Sequence, residues 1–423
     1  MTKNFHPSIL YISYDGMLEP LGQSQVLGYV EKLARDHPVH IVSFEKKVDR
    51  EDLPRMSAMR LRISDAGIEW TPLPYHKAPS APATAYDIAV GTLTAVRIAR
   101  RQKIQIVHAR SYVPALMALA VKHATGAKFL FDMRGFWADE RVDGGLWPRG
   151  GRLYRITKWL ERKFLLAADH VVTLTHASAH EIKRFTYLVG RIPPITVIPT
   201  CADLARFCPQ GVDQKRPFTF GYVGSVGTWY LFKETLELFK ALARRRPGAR
   251  MLIVNRNEHA LIHSAAAKAG IDSKHIEIVA AEHSDVPRLI TRMHAGAALI
   301  KPCYSKMASA PTKLAEYLGC GVPCVANIQV GDIKDVLEGD KIGIVLRGFS
   351  PAEIEAAADG LLALLADPEL AGRCVATANS LYSLDVGVAA YRQIYEHLGS
   401  SAGVAEQKST KRPNEAQQSA SEG

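Results

Sequence analysis

The 423-residue sequence lacks the marks of a membrane-spanning, metal-bound or disulfide-stapled protein. No stretch approaches the roughly 18 unbroken apolar residues of a membrane span. The start, MTKNFHPSILYISYDG, runs straight into a strand-like segment with no cleavable signal pattern. A cytoplasmic protein is therefore expected. The six cysteines, Cys201, Cys208, Cys303, Cys320, Cys324 and Cys374, show neither the CxxC pairs of a zinc site nor the density of a disulfide scaffold, and read as reduced thiols. No Asp-x-Asp pair occurs, and no metal site is expected. No helix-turn-helix, zinc or RNP pattern accompanies the basic residues, so we expect no nucleic-acid partner.

What is present is an ordinary globular composition, 47% hydrophobic and 22% charged, at a length that favours two domains. The net charge of +11 is uneven: residues 1–200 hold 28 Lys and Arg against 18 Asp and Glu. Such asymmetry suits an anionic partner. Apolar β-type runs alternate with helical patterns throughout, the signature of parallel sheets. ILYISYD, VHIVSF, IQIVHA, KFLFDMR, HVVTLT and ITVIPT read as strands of a first half, TFGYVGSVG, RMLIVNR, IEIVAA, AALIKP, PCVAN and IGIVLRG as those of a second. The polar stretch between them is a linker. We therefore expect an α/β protein with two Rossmann-like doubly wound domains facing a cleft, at 1–201 and 217–400 around a linker at 202–216. The last helices of the second domain are expected to return to the first. Residues 401–423 have almost nothing to bury and read as a disordered tail.

In such sheets, ligands sit beyond the carboxyl ends of the strands. There lies SAPTKLAEYLGCGVPCVAN, residues 309–327. Pro311 fits a first helical turn, Ser309 or Thr312 can cap it, and Gly319 or Gly321 can end it. The helix start offers unpaired amides and partial positive charge, to which Thr312 adds a hydroxyl and Lys313 a full charge, so a diphosphate would bind there. Glu316 lies on the same face about 6 Å further along. That offset matches the step from a diphosphate to its ribose; the alternative is a solvated Lys and Glu on a surface helix.

Other loops carry candidates. In YDGMLEPLGQSQ, Gly22 and Gln23 would bring backbone amides to a phosphate or sugar hydroxyls, though no GxGxxG is present. Arg110, after the strand ending VHAR, could bind an acceptor phosphate. FDMRGFWADERVDGGLW combines Arg134, Trp137, Asp139 and Glu140: a Trp can stack on a sugar and a carboxylate can accept the attacking hydroxyl. A salt-bridged surface loop is the alternative. Residues 149–168 form a basic amphipathic helix that can either lie on an anionic membrane surface or pack on the sheet as a crossover.

Together the two halves, the Pro-Thr-Lys to Gly-Val-Pro block, the GYVGS strand-loop and LGQSQVLGYVEKLA resemble the GT-B, family 4 type of retaining glycosyltransferases of bacterial polysaccharide biosynthesis, over nearly all of residues 8–400. The resemblance implies a metal-independent hexosyltransferase that moves a sugar, with retention, from a UDP- or GDP-linked nucleotide sugar to a hydroxyl of a lipid-linked glycan acceptor. It needs no other cofactor and works in the cytoplasm or peripherally on the inner face of the plasma membrane. It places Thr312 and Lys313 at the donor diphosphate, Glu316 at the ribose, His108 beside the reacting sugar, and the 134–140 loop on the acceptor side. Two departures stand out. The family's sugar-reading Glu, eight positions before the ribose Glu, is Ala308 here. The Arg and Lys usual after the first strand of the second half are also missing. That loop has Ser225, and the missing charge falls to Lys301, Lys306 or Arg256, Lys301 first. A non-catalytic nucleotide-sugar-binding subunit and a nucleotide-sugar epimerase of the same architecture remain alternatives.

Overall fold

The computed structural model describes residues 6–210 and 216–410. Its strands fall into two all-parallel sheets. The first comprises β1 (Ile9–Ser13), β2 (Val39–Glu45), β3 (Glu69–Pro74), β4 (Ile106–Arg110), β5 (Lys128–Asp132), β6 (His170–Thr173) and β7 (Ile195–Val197), in the order 3-2-1-4-5-6-7. The second comprises β8 (Thr219–Val223), β9 (Arg250–Val254), β10 (Ile276–Val279), β11 (Ala295–Ala298), β12 (Cys324–Asn327) and β13 (Gly343–Leu346), in the order 10-9-8-11-12-13. β1, β2 and β4 are buried at every residue, as strands covered by helices on both faces must be. β3 was not anticipated. Its Pro72 and Pro74 lack N–H donors, which a strand tolerates only at a sheet edge, and β3 pairs with β2 alone.

The strand order reverses between β1 and β4 in one sheet and between β8 and β11 in the other, so each sheet opens a crevice at its carboxyl end. On one side of the first sheet Leu10, Ile12 and Val107 pack with Ala95 and Ala115 of helices Ser80–Arg101 and Tyr112–Thr125. On the other side Ile9, Tyr11 and Ile106 meet the last helix, Leu384–Thr410, through Leu384, Val388, Tyr391, Ile394, Tyr395 and Leu398. The chain returns there beside its own linker: the Ala202 amide donates to the Tyr382 carbonyl at 2.9 Å and the Leu384 amide to that of Ala202 at 3.0 Å. The segment expected to be a tail from 401 is helical as far as Thr410. Residues 411–423, and 211–215 of the expected linker, lie outside the described residues.

Candidate functional site

A cavity of about 680 Å³ opens between the sheets. Its walls come from the loops after β1, β8, β9 and β10, the linker, and the face of helix Thr312–Gly319 that carries Thr312 and Glu316. Gln23 and Ser225 line it, whereas Gly22 supports it from behind. A Cβ at Gly22 would lie 1.9 Å from the Gly16 carbonyl oxygen, so only glycine lets this loop fold over itself.

Helix Thr312–Gly319 begins at Pro311, and no side chain caps it. The expected cap from Ser309 or Thr312 is absent, which leaves the first-turn amides for a ligand. Gly321, at φ +75°, gives the left-handed exit. Glu316 is only 7% exposed, and its Oε1 lies 3.3 Å from Nε2 of His283, a cavity residue that sequence reasoning did not single out. The Lys313 ammonium is buried between the rings of Tyr222 and Tyr230, 4.5 and 4.0 Å from their centroids, and makes no hydrogen bond. Burial pulls its pKa from 10.5 down to about 7. Lys313 does not itself line the cavity; its Nζ lies behind Gly224, which does. Gly224 has φ +109°, and a Cβ there would come within 3.4 Å of that Nζ. Gly224→Ala should therefore cost about 1–3 kcal/mol in urea unfolding, through backbone strain more than crowding; an unchanged midpoint would refute this.

The loop after β8 is already furnished with an anion. Glu258 accepts from the Val226 amide at 3.0 Å, the Ser225 hydroxyl at 2.9 Å and Asn255 Nδ2 at 2.8 Å. Burial raises its pKa, but these donors outweigh that and hold it below the usual carboxylate value. Arg256 is paired with Glu282 at the cavity wall.

The remaining expected site residues lie away from this cavity. His108, expected beside the reacting sugar, is 1% exposed beneath the last helix, with Nδ1 2.7 Å from the Tyr395 hydroxyl and its ring against Tyr11. Burial pushes its pKa below the ordinary imidazole value, against the pull of Asp132. Asp139 accepts from Tyr154 at 3.0 Å and Lys158 at 3.1 Å, so it faces helix Arg152–Ala167. Arg141 stands 5.0 Å over the Trp137 ring, which Trp147 also contacts edge-on. Arg110, nearly buried, reaches Asp15 at 3.3 Å, and Arg134, at φ +59°, lies 3.9 Å from Asp132. Lys301 and Lys306 do not enter the cavity either. Lys301 donates to the Asp143 carbonyl at 3.1 Å, and Lys306 is buried against Glu140 at 2.7 Å and the Trp229 ring at 3.8 Å. Together with the Ser305 amide on the Asp143 carboxylate at 2.9 Å, these contacts tie the second half to the 136–144 segment of the first. Ala308 is fully buried in the same region. Among the described residues, no group of three or more His, Cys, Asp or Glu could hold a metal ion, and no helix is long and apolar enough to cross a membrane.

Residues 23–206 match the family model Glycosyltransferase Family 4, and residues 209–380 match Glycosyl transferases group 1. No curated protein matches the chain in sequence. Among solved structures, the chain is similar to a sucrose-phosphate synthase from Thermosynechococcus elongatus (TM-score 0.70, 13% identity, 94% of this chain and 100% of that one). It is also similar to Anabaena HepE in complex with UDP-glucose (TM-score 0.62, 15% identity, 93% and 100%). A third is the lipopolysaccharide outer core galactosyltransferase WaaB (TM-score 0.57, 13% identity, 94% and 99%). With both halves matched and the two-sheet architecture shared, the chain belongs to the group 1 glycosyltransferases of the family 4 type.

Proposed function

We propose that the protein moves a hexose, with retention and without a metal, from a UDP- or GDP-linked donor to a hydroxyl of a lipid-linked glycan acceptor in cell-surface polysaccharide assembly. It works in the cytoplasm, peripherally on the inner face of the plasma membrane. The observation that carries the reading is the face of helix Thr312–Gly319. An uncapped start with Thr312, and Glu316 one turn on, meet a cavity large enough for a nucleotide sugar, while an ammonium with no anionic partner waits behind Gly224. Anabaena HepE, solved with UDP-glucose, supports the donor class.

In this reading the diphosphate lies at the helix start, within reach of the Lys313 charge, and Glu316 accepts from the ribose hydroxyls. The acceptor oxygen bonds to the anomeric carbon on the face the diphosphate leaves. The bond from that carbon to the phosphate oxygen breaks, and the acceptor's proton passes to the departing diphosphate. No protein nucleophile is needed; stabilisation of the leaving anion by Thr312, Lys313 and the helix start supplies much of the rate. His108, Asp139 and Glu140 do not touch the reacting atoms in this arrangement. They brace the cleft's walls.

The test is thermal stabilisation of the full chain by a panel of nucleotide sugars, with nucleotide release measured in the presence and absence of lipid-linked acceptor. We expect one donor to stabilise strongly and acceptor to accelerate release. Stabilisation without release under any condition would replace transfer by a nucleotide-sugar-binding subunit. A donor altered in the absence of acceptor would mean an epimerase.

A further inference from the structure

Helix Arg152–Ala167 packs on the first sheet through Phe164 and Leu165, so it serves as the crossover the fold requires. Its outward half is unusual in composition. Of its exposed residues, four are bases, Arg152, Arg155, Arg162 and Lys163, and the other four are large and apolar, Leu153, Ile156, Trp159 and Leu166. At 3.6 residues per turn the two kinds interleave over one arc. The helix's one acid, Glu161, is fully buried, bonded to Tyr112 at 2.6 Å and to Lys158 at 2.5 Å, so this arc carries no negative charge. Trp159 and Ile156 are 56% and 54% exposed. The segment Thr186–Leu188 packs beside the helix, with Arg162 5.6 Å over the Tyr187 ring. The chain just beyond adds Val189, 81% exposed, with Arg191 and Ile192.

An arc polar all round would need only water, and a purely basic one would fit a nucleic-acid backbone. Bases alternating with a Trp and large aliphatics fit a layer that is anionic at its surface and apolar beneath. We propose that the outer face of Arg152–Ala167, with the 189–192 loop, docks the protein on an anionic bilayer. Trp159, Ile156, Leu153 and Val189 enter the headgroup boundary, and the four bases meet the lipid phosphates. The helix packs beside the 136–144 segment that joins the two halves, through Tyr154 and Lys158 on Asp139. Docking therefore sets that side of the cleft near the bilayer, where a lipid-linked acceptor is held; only this last consequence rests on the function proposed above.

Co-sedimentation of the full chain with vesicles tests the docking. Vesicles of phosphatidylcholine with about one third phosphatidylglycerol should bind the protein, and pure phosphatidylcholine vesicles should bind it at least tenfold less. Each base near an anionic surface is worth roughly fivefold in partition, so the variant Arg152→Gln/Arg155→Gln/Arg162→Gln/Lys163→Gln, with four bases removed, should bind on the order of 600-fold more weakly. Ile156→Gln/Trp159→Gln should lose about tenfold or more. Both variants alter only exposed side chains and should keep the native circular dichroism. Absence of binding to anionic vesicles, or equal binding by the folded variants, overturns the docking face. Preferential binding of a single-stranded RNA at the same salt replaces the bilayer by nucleic acid and overturns it as well. Donor-induced thermal stabilisation is read on the same samples without vesicles. A protein that ignores vesicles yet is stabilised by its donor loses this surface and its peripheral placement and keeps its donor site.

Discussion

Lys313→Met should make the empty protein more stable at pH 6 while nearly abolishing sugar transfer. The two effects share one origin, a buried ammonium with aromatic rings on two sides and no anion bonded to it. Its folded-state pKa of about 7 lies below its ordinary 10.5. Between these values the unfolded chain keeps a proton that the folded chain gives up, so native stability rises with pH from 7 toward 10.5. Below pH 7 the full cost of the buried charge is present, on the order of 3–5 kcal/mol. Methionine fills similar space, tolerates aromatic neighbours and carries no charge, so the variant lacks this slope. Thermal unfolding from pH 6 to 10 should show the variant several degrees higher at the acid end and the two proteins converging at the alkaline end; parallel curves would sink the account. The proposed donor supplies the missing anion, so kcat/KM should fall by roughly 10²–10³ in the same variant. An enzyme that spends stability on an unpaired charge is expected where that charge is completed by substrate.

Glu316→Ala should weaken nucleotide binding by about 10²–10⁴, since a carboxylate accepting two ribose hydroxyls makes two charge-assisted hydrogen bonds of about 1.5–3 kcal/mol each. The loss should show with the nucleoside diphosphate alone, because the sugar is not involved. Calorimetry with the nucleotide and its 2′-deoxy form gives the sharper check. The native protein should discriminate between them and the variant should not, leaving a coupling of at least about 1 kcal/mol. Additive losses would move the ribose elsewhere in the cavity, toward His283 or Asn257.

The sheets were readable because double burial writes itself as unbroken apolar runs, VHIVSFE and IVHAR among them. β3 escaped notice because EWTPLP contains two residues that weaken any strand reading and are harmless only at an edge. The helix at 312–319 was placed within a residue by its proline and its glycines, and Thr312, Glu316, Gln23 and Ser225 all reach one cavity. Where the reading departed, the missing information lay far along the chain. His108 meets Tyr395, 287 residues away, and alternation along a strand cannot say which helix will cover its face. Lys301 and Lys306 find partners at Asp143 and Glu140, 158 and 166 residues back. Charges after a strand mark a crevice without saying whether a ligand or the opposite half will fill it. Glu258 and His283 had only their position after β9 and β10 to recommend them, a signal shared by many residues that do nothing.

The last helix has a consequence for how the molecule comes into being. Six of its apolar residues complete the core on one face of the first sheet. A ribosome that has released residues 1–200 has therefore delivered every strand of that sheet and left one face without its cover. The second sheet, encoded by 219–346, can close over its own helices while the first still waits for Leu384 onward. Vectorial synthesis thus makes the first half early and finishes it last, and the interval is one in which an apolar face as broad as a helix is open to chaperones and to neighbouring nascent chains.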